Sequence, residues 1–490
     1  MKDYLSYEQF GAVGDGITDD FDAIIATHAE ANKTGTPVKA RDGAKYYLGK
    51  AATAMIMTDV DFGEAEFVID DTVITPEERS APIFKLASGY KKYDVTLPSL
   101  SRDAKKVDFP HEGNAYVRVF NDEHNIFIRK GLNMNAGSPT QDCFLTDEEG
   151  NILTDLDWDY PTVTRAWARC IDDAPITVKG GRFITLANQL VDNFGYFARG
   201  FAVERSNATL LGITHLVAGE GEHGAPYSGF IEVRECANTT VKDCILTPHF
   251  IYYEHKLNGK HVPFGTGKPV PKGSYDFNAG AAIGVKVINV TQTVSIHDTK
   301  YWGTVTSNFS KDVYFEGCTL SRFDAHQGVT NVTLKNCEFG HQCINLIGHG
   351  KALLENCTAT GPSLFSLRGD YGSIWDGTVT VKDCTIIAKN VKNASALFIA
   401  WNLGDHDFGY VCKSPEAVTV DGLTVDDSNI PDKDFVLLPT YDNAFDSSEH
   451  PFPYEYTKRL TVKNVRRTSG KPYKITLTPS AYTDLITEEN

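Results

Sequence analysis

Val313–Cys318 reads VYFEGC, and the same pattern returns as VTLKNC at Val332–Cys337, ALLENC at Ala352–Cys357 and VTVKDC at Val379–Cys384. Each copy has apolar residues at its first and third positions and ends in Gly, Asn or Asp followed by cysteine. Alternating polarity is typical of a β-strand with one buried face. The cysteines are 19, 20 and 27 residues apart, a spacing typical of one coil of a β-solenoid.

Weaker copies of the repeat occur on both sides of this stretch. They are ITVKGG from Ile176, ATLLGI from Ala208, TTVKDC from Thr239, VTVDGL from Val418 and LTVKNV from Leu460. Because one coil cannot bury its inward side chains alone, like residues of neighbouring coils stack. We therefore predict an all-β right-handed parallel β-helix with one inner ladder formed by Cys318, Cys337, Cys357 and Cys384. The alternative, a twisted β-sandwich, does not repeat its strands at a fixed coil length.

The charge composition of the chain disfavours several classes of binding partner. The 490 residues include 47 Lys and Arg against 64 Asp and Glu, and the resulting charge of −17 disfavours nucleic acid and anionic membranes. The charge also disfavours a highly anionic polysaccharide unless a local basic groove overrides it. No apolar run is long enough to span a bilayer.

Cysteine usage and the first residues bear on redox state and location. Ten cysteines are too few for a disulfide scaffold in a chain of this length, so we predict reduced, buried thiols. No CxxC or HExxH motif is present, and we expect no dedicated metal site. The start, MKDYLSYEQFG, lacks the features of a secretory signal. The sequence thus favours a cytoplasmic protein, or a secreted one whose signal peptide has been removed.

An N-terminal motif indicates a cap on the solenoid. We expect Asp15 to make a turn, and Asp19 and Asp20 to cap a helix whose Ile24, Ile25 and His28 side covers the first coil. The motif itself, FGAVGDGITDD, resembles the N-terminal signature of the pectate-lyase-like β-helix superfamily, which also includes polygalacturonase-like hydrolases and many phage tailspike proteins. The resemblance implies the architecture more strongly than any chemistry.

Changes in periodicity divide the chain into four regions. We expect a cap with the first coils, an irregular insertion packed on the solenoid, the main β-helix, and C-terminal coils with a cover, at residues 1–87, 88–164, 165–433 and 434–490, respectively.

Aligning the coils also aligns three polar segments: RFDAHQG from Arg322, INLIGHG from Ile344 and LFSLRGDYG from Leu364. With a period of two, one set of side chains points into the solenoid and the other points out. The inward set is Phe323, Ala325, Ile344, Leu346, Phe365 and Leu367, and the outward set is Arg322, Asp324, His326, Asn345, Ser366 and Arg368.

The outward set, with nearby Asp370, is suited to acid–base work on a glycosidic bond. In the leading hypothesis, a glycoside hydrolase, one of Asp324 and Asp370 protonates the leaving oxygen and the other activates water or attacks the anomeric carbon. His326 tunes a carboxyl group, and Arg368 holds a substrate hydroxyl or carboxylate. The alternative is that these charges only solvate an exposed face.

Other residues are candidates for holding the substrate. Arg322 and Asn345 share the outward face. Aromatic rings on which a sugar could rest are those of Tyr301, Trp302, Trp375 and Trp401. A glycine-rich turn carries Glu220, Glu222 and His223, which would serve as an acidic group or a sugar clamp unless the turn is a plain loop.

The family resemblance implies two further readings. Gly348-His349-Gly350 matches the GHG of polygalacturonase-like hydrolases, in which the histidine assists catalysis, but the accompanying paired-aspartate motif is missing. Lys300 and Arg322 resemble the base and neutraliser of β-helix polysaccharide lyases.

These readings leave three functions open. The first is hydrolysis without a cofactor. The second is β-elimination from a uronate-containing glycan, with Lys300, His326 or Tyr301 as base, Arg322 or Arg368 as neutraliser, and Ca²⁺ as a possible aid. The third is a non-catalytic glycan-binding rod of the tailspike type. All three predict a carbohydrate partner and a monomer or small homo-oligomer.

Overall fold

The computed structural model describes residues 4–129, 136–190, 196–222, 224–252, 273–400, 408–439 and 454–489. Parallel strands stack coil upon coil into three faces, which we name sheets A, B and C in their order along each coil. The predicted right-handed parallel β-helix is confirmed. None of the helices in the described ranges is long and apolar enough to cross a membrane.

The strands divide among the three sheets as follows. Sheet A contains Ala54–Ile56, Phe84–Ala87, Phe201–Glu204, Ile231–Arg234, Phe277–Gly280, Ile344–Leu346, Ser363–Leu367, Ala394–Ala400 and Asp434–Val436. Sheet B contains Val38–Lys39, Ala208–Leu211, Thr239–Lys242, Lys286–Ile288, Gly348–Glu355 and Ile486–Glu489. Sheet C contains Asp15–Asp19, Lys45–Leu48, Thr214–Ala218, Ile245–Leu246, Thr291–Gln292, Thr319–Leu320, Glu338–Phe339 and Thr358–Gly361.

Longer strands bend at a corner and belong to two sheets. Those that run from A to B are Val305–Glu316 and Phe323–Lys335. Those that run from B to C are Val60–Asp70, Ile176–Leu186, Trp375–Ala388, Ala417–Asp426 and Arg459–Arg467.

The repeated Asn-Cys ending builds the corner between sheets B and C. Asn336 and Asn356 adopt φ of 53° and 51°, a left-handed conformation that asparagine tolerates better than most residues. The amide of Asn356 donates to the Oδ1 of Asn336 at 2.8 Å, so the corner residues stack between coils. The following cysteines turn inward.

The predicted cysteine ladder is present. The backbone N–H of Cys318 donates to the Sγ of Cys337 at 3.5 Å, and both belong to the hydrophobic core together with Cys357 and Cys384. All ten cysteines are free thiols, and only Cys170 is not fully buried. Thiols of this kind act as small apolar core residues.

The N-terminal motif forms the predicted cap. Asp20 accepts hydrogen bonds from the backbone of Val13 and Gly14, and Asp19 accepts one from Phe21, the first residue of the helix Phe21–Thr34. Ile24 and His28 of this helix are fully buried against the first coil. Asp19 therefore caps the helix as predicted, whereas the side chain of Asp20 makes no capping hydrogen bond and holds the preceding turn instead, which corrects its predicted role. Short 3₁₀ turns occur at Tyr7–Phe10, Asp71–Val73, Gly369–Tyr371 and Pro479–Ala481.

The insertion is not irregular, which corrects the sequence prediction. It forms an antiparallel sheet of four strands in the order Tyr93–Asp94, Arg165–Cys170, Ala115–Ile126 and Ser138–Thr146. The last strand in sequence, Arg165–Cys170, lies beyond the predicted boundary at residue 164. This sheet has its own apolar core and no repeat of coil length, so periodicity could not reveal it.

A buried cluster of ion pairs connects the insertion to the solenoid. Lys311, on the strand that turns from sheet A to B, reaches Asp142 at 2.6 Å and Asp157 at 3.5 Å, both on the insertion. Thr330 on the next coil donates to Asp157 at 2.7 Å. We name Lys311, Asp142 and Asp157 the docking cluster. Burial and the neighbouring Asp157 raise the pKa of Asp142 to about 6 against the attraction of Lys311.

Candidate functional site

Strand register brings the three polar segments together as predicted. Phe323 pairs with Ile344, which pairs with Phe365, on successive strands of sheet A. These three side chains are fully buried in the solenoid. The outward row places Asp324 beside Asn345, and Asn345 beside Ser366.

Two predicted carboxylates meet two predicted arginines on the outer side of sheet A. The Nη1 of Arg368 donates to both oxygens of Asp324 at 3.0 and 3.1 Å, while its Nε and Nη2 donate to Asp370 at 3.0 and 2.7 Å. The Nη2 of Arg322 lies 3.1 Å from Asp324. Arg368 therefore bridges the two carboxylates.

A third arginine, which sequence reasoning missed, comes from the insertion. Arg129 makes an ion pair with Asp370, donates to the hydroxyl of Tyr371 at 3.3 Å and lies over the Tyr371 ring at 4.6 Å. Arg129 comes shortly after the end of the strand Ala115–Ile126. No sequence repeat is present in this part of the chain to indicate which coil Arg129 contacts. We name Arg129, Arg322, Asp324, Arg368 and Asp370 the arginine–aspartate cluster.

The cluster is enclosed, so the alternative in which these charges only solvate an exposed face is wrong. Asp324 is 0% exposed, and Arg322 and Asp370 are 4% and 5% exposed. Arg368 keeps 17% of its side chain exposed and is the member that opens most to solvent. The insertion and the corner loops cover the rest.

Both carboxylates are held in the ionised form. Burial alone would raise the pKa of Asp324, but the charges of Arg322 and Arg368 outweigh it and lower that pKa below its ordinary value. For Asp370, burial is likewise overcome by Arg368 and Arg129, and its pKa falls to about 2. A general acid at neutral pH needs the opposite shift.

His326 lies at the edge of the cluster and is neutral. Its Nδ1 is 3.2 Å from the Oδ1 of Asn308, and its ring stands edge-on to Tyr371 with centroids 5.7 Å apart. Burial and the charge of Arg368 lower the pKa of His326 to about 3. His326 is half-buried.

Aromatic rings hold Arg322 from the other side. Its guanidinium lies 5.0 Å from the Trp302 ring and 5.5 Å from the Tyr275 ring, and Tyr275 stacks on Tyr196 at 5.8 Å. Within the described ranges, the Nε of Arg322 has no hydrogen-bond partner. Trp302, predicted as a sugar platform, is half-buried and instead contacts Arg322.

The remaining candidates are scattered. Asn345 is half-buried in the outward row, and Glu222 is exposed on its turn. Trp375 is fully buried and its indole donates to the carbonyl of Thr378 at 3.3 Å, so the prediction that it offers a face to sugars is wrong. His223 and Trp401 lie outside the described residues.

Of the three residues implied by the family resemblance, Arg322 belongs to the arginine–aspartate cluster, whereas His349 and Lys300 lie elsewhere. His349 packs edge-on against Trp158 of the insertion, and its Nδ1 is 3.7 Å from Asp376 on the next coil. Lys300 is exposed on a corner loop, 5.4 Å over the Phe250 ring. Neither contacts a member of the arginine–aspartate cluster through any interaction found in the described residues. Those residues also contain no group of three or more His, Cys, Asp or Glu side chains arranged to hold a metal ion.

Among the solved structures that this chain resembles are several phage tailspikes. The tailspike of Pseudomonas phage phi297 superimposes with a TM-score of 0.57 at 11% identity, covering 97% of this chain and 84% of that one. The chain has the right-handed parallel β-helix fold of a tailspike. The tailspike of Acinetobacter baumannii bacteriophage AP22, solved with a capsular saccharide, gives 0.57 at 10% identity over 99% and 79% of the two chains.

A third tailspike, from Pseudomonas phage LKA1, gives a TM-score of 0.50 at 13% identity over 96% and 82% of the chains. At these identities the tailspike likeness concerns the fold alone. No protein-family model matches the sequence, and no curated protein sequence matches it.

Proposed function

We propose that the chain binds a saccharide carrying an acidic group, on the outer face of sheet A at the arginine–aspartate cluster. The observation that carries this proposal is the charge of the cluster. Three guanidinium groups face two carboxylates, His326 is neutral, and one positive charge is left over. Arginine is well suited to carboxylate and phosphate because its planar fork donates two parallel hydrogen bonds.

The rest of the molecule supports this placement. The chain carries a charge of −17, so a local surplus of buried arginine would attract an acidic ligand against the general trend of the surface. Arg368 is the partly exposed member of the cluster, and half-buried His326 and Asn345 lie beside it. The AP22 tailspike, a protein of the same fold, was solved with a capsular saccharide.

Cleavage is the second candidate, and its chemistry would be β-elimination rather than the hydrolysis first expected from Asp324 and Asp370. Hydrolysis needs a carboxylic acid that is protonated at neutral pH, whereas the pKa values of both aspartates are lowered. Elimination needs a free base and a cation that neutralises the substrate carboxylate. His326 is neutral and lies near Arg368, but its pKa of about 3 makes it a weak base, so elimination is only the second candidate.

A screen of acidic and neutral oligosaccharides tests both candidates. Binding is measured by isothermal titration calorimetry, and cleavage by reducing ends and near-ultraviolet absorbance. Arg322→Gln should lose binding of acidic glycans. Arg182→Gln, which changes an arginine paired with Glu66 on the distant sheet C, should bind like the wild type.

The outcomes separate the chemistries. Binding without products supports a non-catalytic glycan binder. Absorbance that is lost in His326→Gln supports elimination. Reducing ends without absorbance, lost in Asp324→Asn and Asp370→Asn, would replace elimination by hydrolysis. Binding of neutral glycans only would contradict the proposed function.

A further inference from the structure

A second group of ligand-type residues lies on the corner between sheets C and A. The half-buried rings of Phe250 and Tyr301 have centroids 5.3 Å apart, and the half-buried ring of Tyr252 lies 6.2 Å from Phe250. These rings come from successive corner loops, so they follow the axis of the solenoid. Aromatic rings of this kind offer apolar faces with a polar tip.

A carboxylate lies beneath these rings. Glu220 accepts a hydrogen bond from the backbone N–H of Phe250 at 2.7 Å and keeps 11% of its side chain exposed. Its Oε1 is 3.4 Å from the Nδ1 of His249, a residue only 3% exposed whose Nδ1 has no hydrogen-bond partner in the described ranges. His249 is held flat against Tyr227, with ring centroids 3.5 Å apart.

Electrostatics place the phenol hydroxyls near this carboxylate. Burial raises the pKa of Tyr301 to about 12, and the charge of Glu220 is the next largest cause. The same two causes, in the same order, raise the pKa of Tyr252. The charge of Glu220 thus acts on both tyrosine hydroxyls, and the exposed Lys300 ammonium lies 5.4 Å over the Phe250 ring.

We infer that Phe250, Tyr252, Tyr301 and Glu220 form a second saccharide subsite, which takes an uncharged sugar residue of the glycan whose acidic group binds at the arginine–aspartate cluster. This inference rests on the proposed function. The rings pack against the C–H face of the sugar, and Glu220 accepts hydrogen bonds from its hydroxyls. Binding sites for small organic ligands commonly combine such apolar walls with a few placed polar groups.

The two sites are linked along the chain. Tyr301 of the subsite is followed directly by Trp302, whose ring lies 5.0 Å from the guanidinium of Arg322. A glycan running along the corner would meet the aromatic subsite and the arginine–aspartate cluster in turn. Longer ligands should therefore bind more tightly than those that fill only the cluster.

Chain-length dependence tests the inference. Hyaluronan disaccharide and hexasaccharide, which alternate an acidic with a neutral residue, are titrated by calorimetry into the wild type and the Tyr301→Ala and Glu220→Gln variants. We expect the wild type to bind the hexasaccharide at least about tenfold more tightly, which is about 1.4 kcal/mol. Both variants should bring the ratio close to one by weakening hexasaccharide binding. Tyr90→Ala, at a tyrosine that is 46% exposed outside this corner, is the matched control.

Each other result has a distinct meaning. A length ratio that survives both variants, or a wild-type ratio near one, overturns the subsite. The proposed function then stands, provided that disaccharide binding is lost in Arg322→Gln. If neither oligosaccharide binds the wild type, the proposed function fails and the subsite fails with it. Thermal unfolding of each variant checks that Tyr301→Ala is folded, and Glu220→Gln retains an acceptor for Phe250.

Discussion

The docking cluster and the arginine–aspartate cluster are both built from buried ion pairs, but their charge balances are opposite. The docking cluster has one cation, Lys311, against two carboxylates. The arginine–aspartate cluster has three cations against two carboxylates. In the first, the pKa of Asp142 is raised to about 6, whereas in the second the pKa of Asp370 is lowered to about 2.

This difference in charge distinguishes the docking cluster, which is structural, from the arginine–aspartate cluster, which we propose as a binding site. A surplus negative charge can be removed by protonating one carboxyl group, and the docking cluster is enclosed, with Lys311 and Asp142 each 1% exposed. A surplus of arginine cannot be removed in this way because guanidinium does not lose its proton in proteins. The arginine–aspartate cluster also opens to solvent at Arg368, so an acidic ligand can supply the missing charge.

Removal of the bridging arginine should have the largest effect on stability. Arg368→Gln leaves Asp324 with only Arg322 and Asp370 with only Arg129, and breaking a buried pair in this way costs about 3–5 kcal/mol. Urea unfolding at pH 7 measures the loss. A change below about 1 kcal/mol, the range we expect for exposed Arg182→Gln, would contradict the enclosure of this cluster.

Removal of the docking lysine should cost less, and the cost should depend on pH. Lys311→Met leaves Asp142 and Asp157 without their cation, for a loss of about 3 kcal/mol at pH 8. Because the folded pKa of Asp142 is already above its unfolded value, this carboxyl favours the folded state at low pH, and that contribution is lost as pH rises through about 6. Urea unfolding should therefore show a smaller cost at pH 5, and a cost independent of pH would refute this account.

The histidine of the arginine–aspartate cluster should respond to acid with the opposite sign. The folded pKa of His326 is about 3, below its unfolded value, so its contribution is complete above pH 6.5 and is lost as pH falls through that value toward 3. His326→Gln should flatten the pH dependence of stability between pH 7 and 5 by up to about 1.4 kcal/mol per unit. An unchanged slope would show that His326 is not held neutral.

Exposed ion pairs should matter least. Glu355 on sheet B bridges Lys335 at 3.0 Å and Lys382 at 3.2 Å, and all three side chains are about a third exposed or more. Because solvent screens such pairs, Glu355→Gln should leave the midpoint of urea unfolding unchanged within experimental error. A loss comparable to that of Lys311→Met would remove the distinction between buried and exposed charges.

The solenoid was predictable because its repeat is both a sequence feature and a physical one. The spacing of Cys318, Cys337 and Cys357 gave the coil length, and the coil length set the register that places Asp324 beside Asn345. The period of two then separated inward from outward side chains. The features that depend on the stacking of coils could therefore be predicted from a single sequence.

What covers the solenoid could not be predicted in this way. The antiparallel insertion does not share the period of the coils. The sequence repeat therefore predicts neither the burial of Asp324 nor the contact of Arg129 with the cluster. Arginine then keeps both aspartates ionised, whereas the hydrolysis hypothesis needed one of them to be protonated. For Trp375, the same period could not distinguish an exposed ring from one enclosed at a corner.

The most direct test of the surplus positive charge is a pair of calorimetric titrations with one oligosaccharide. An acidic hexasaccharide and its carboxyl-reduced, uncharged form differ only in the groups that the arginine–aspartate cluster would recognise. We predict at least about tenfold tighter binding of the acidic form, equal to about 1.4 kcal/mol. Equal affinity for the two forms would contradict the account, because the arginine surplus would then have no part in recognition.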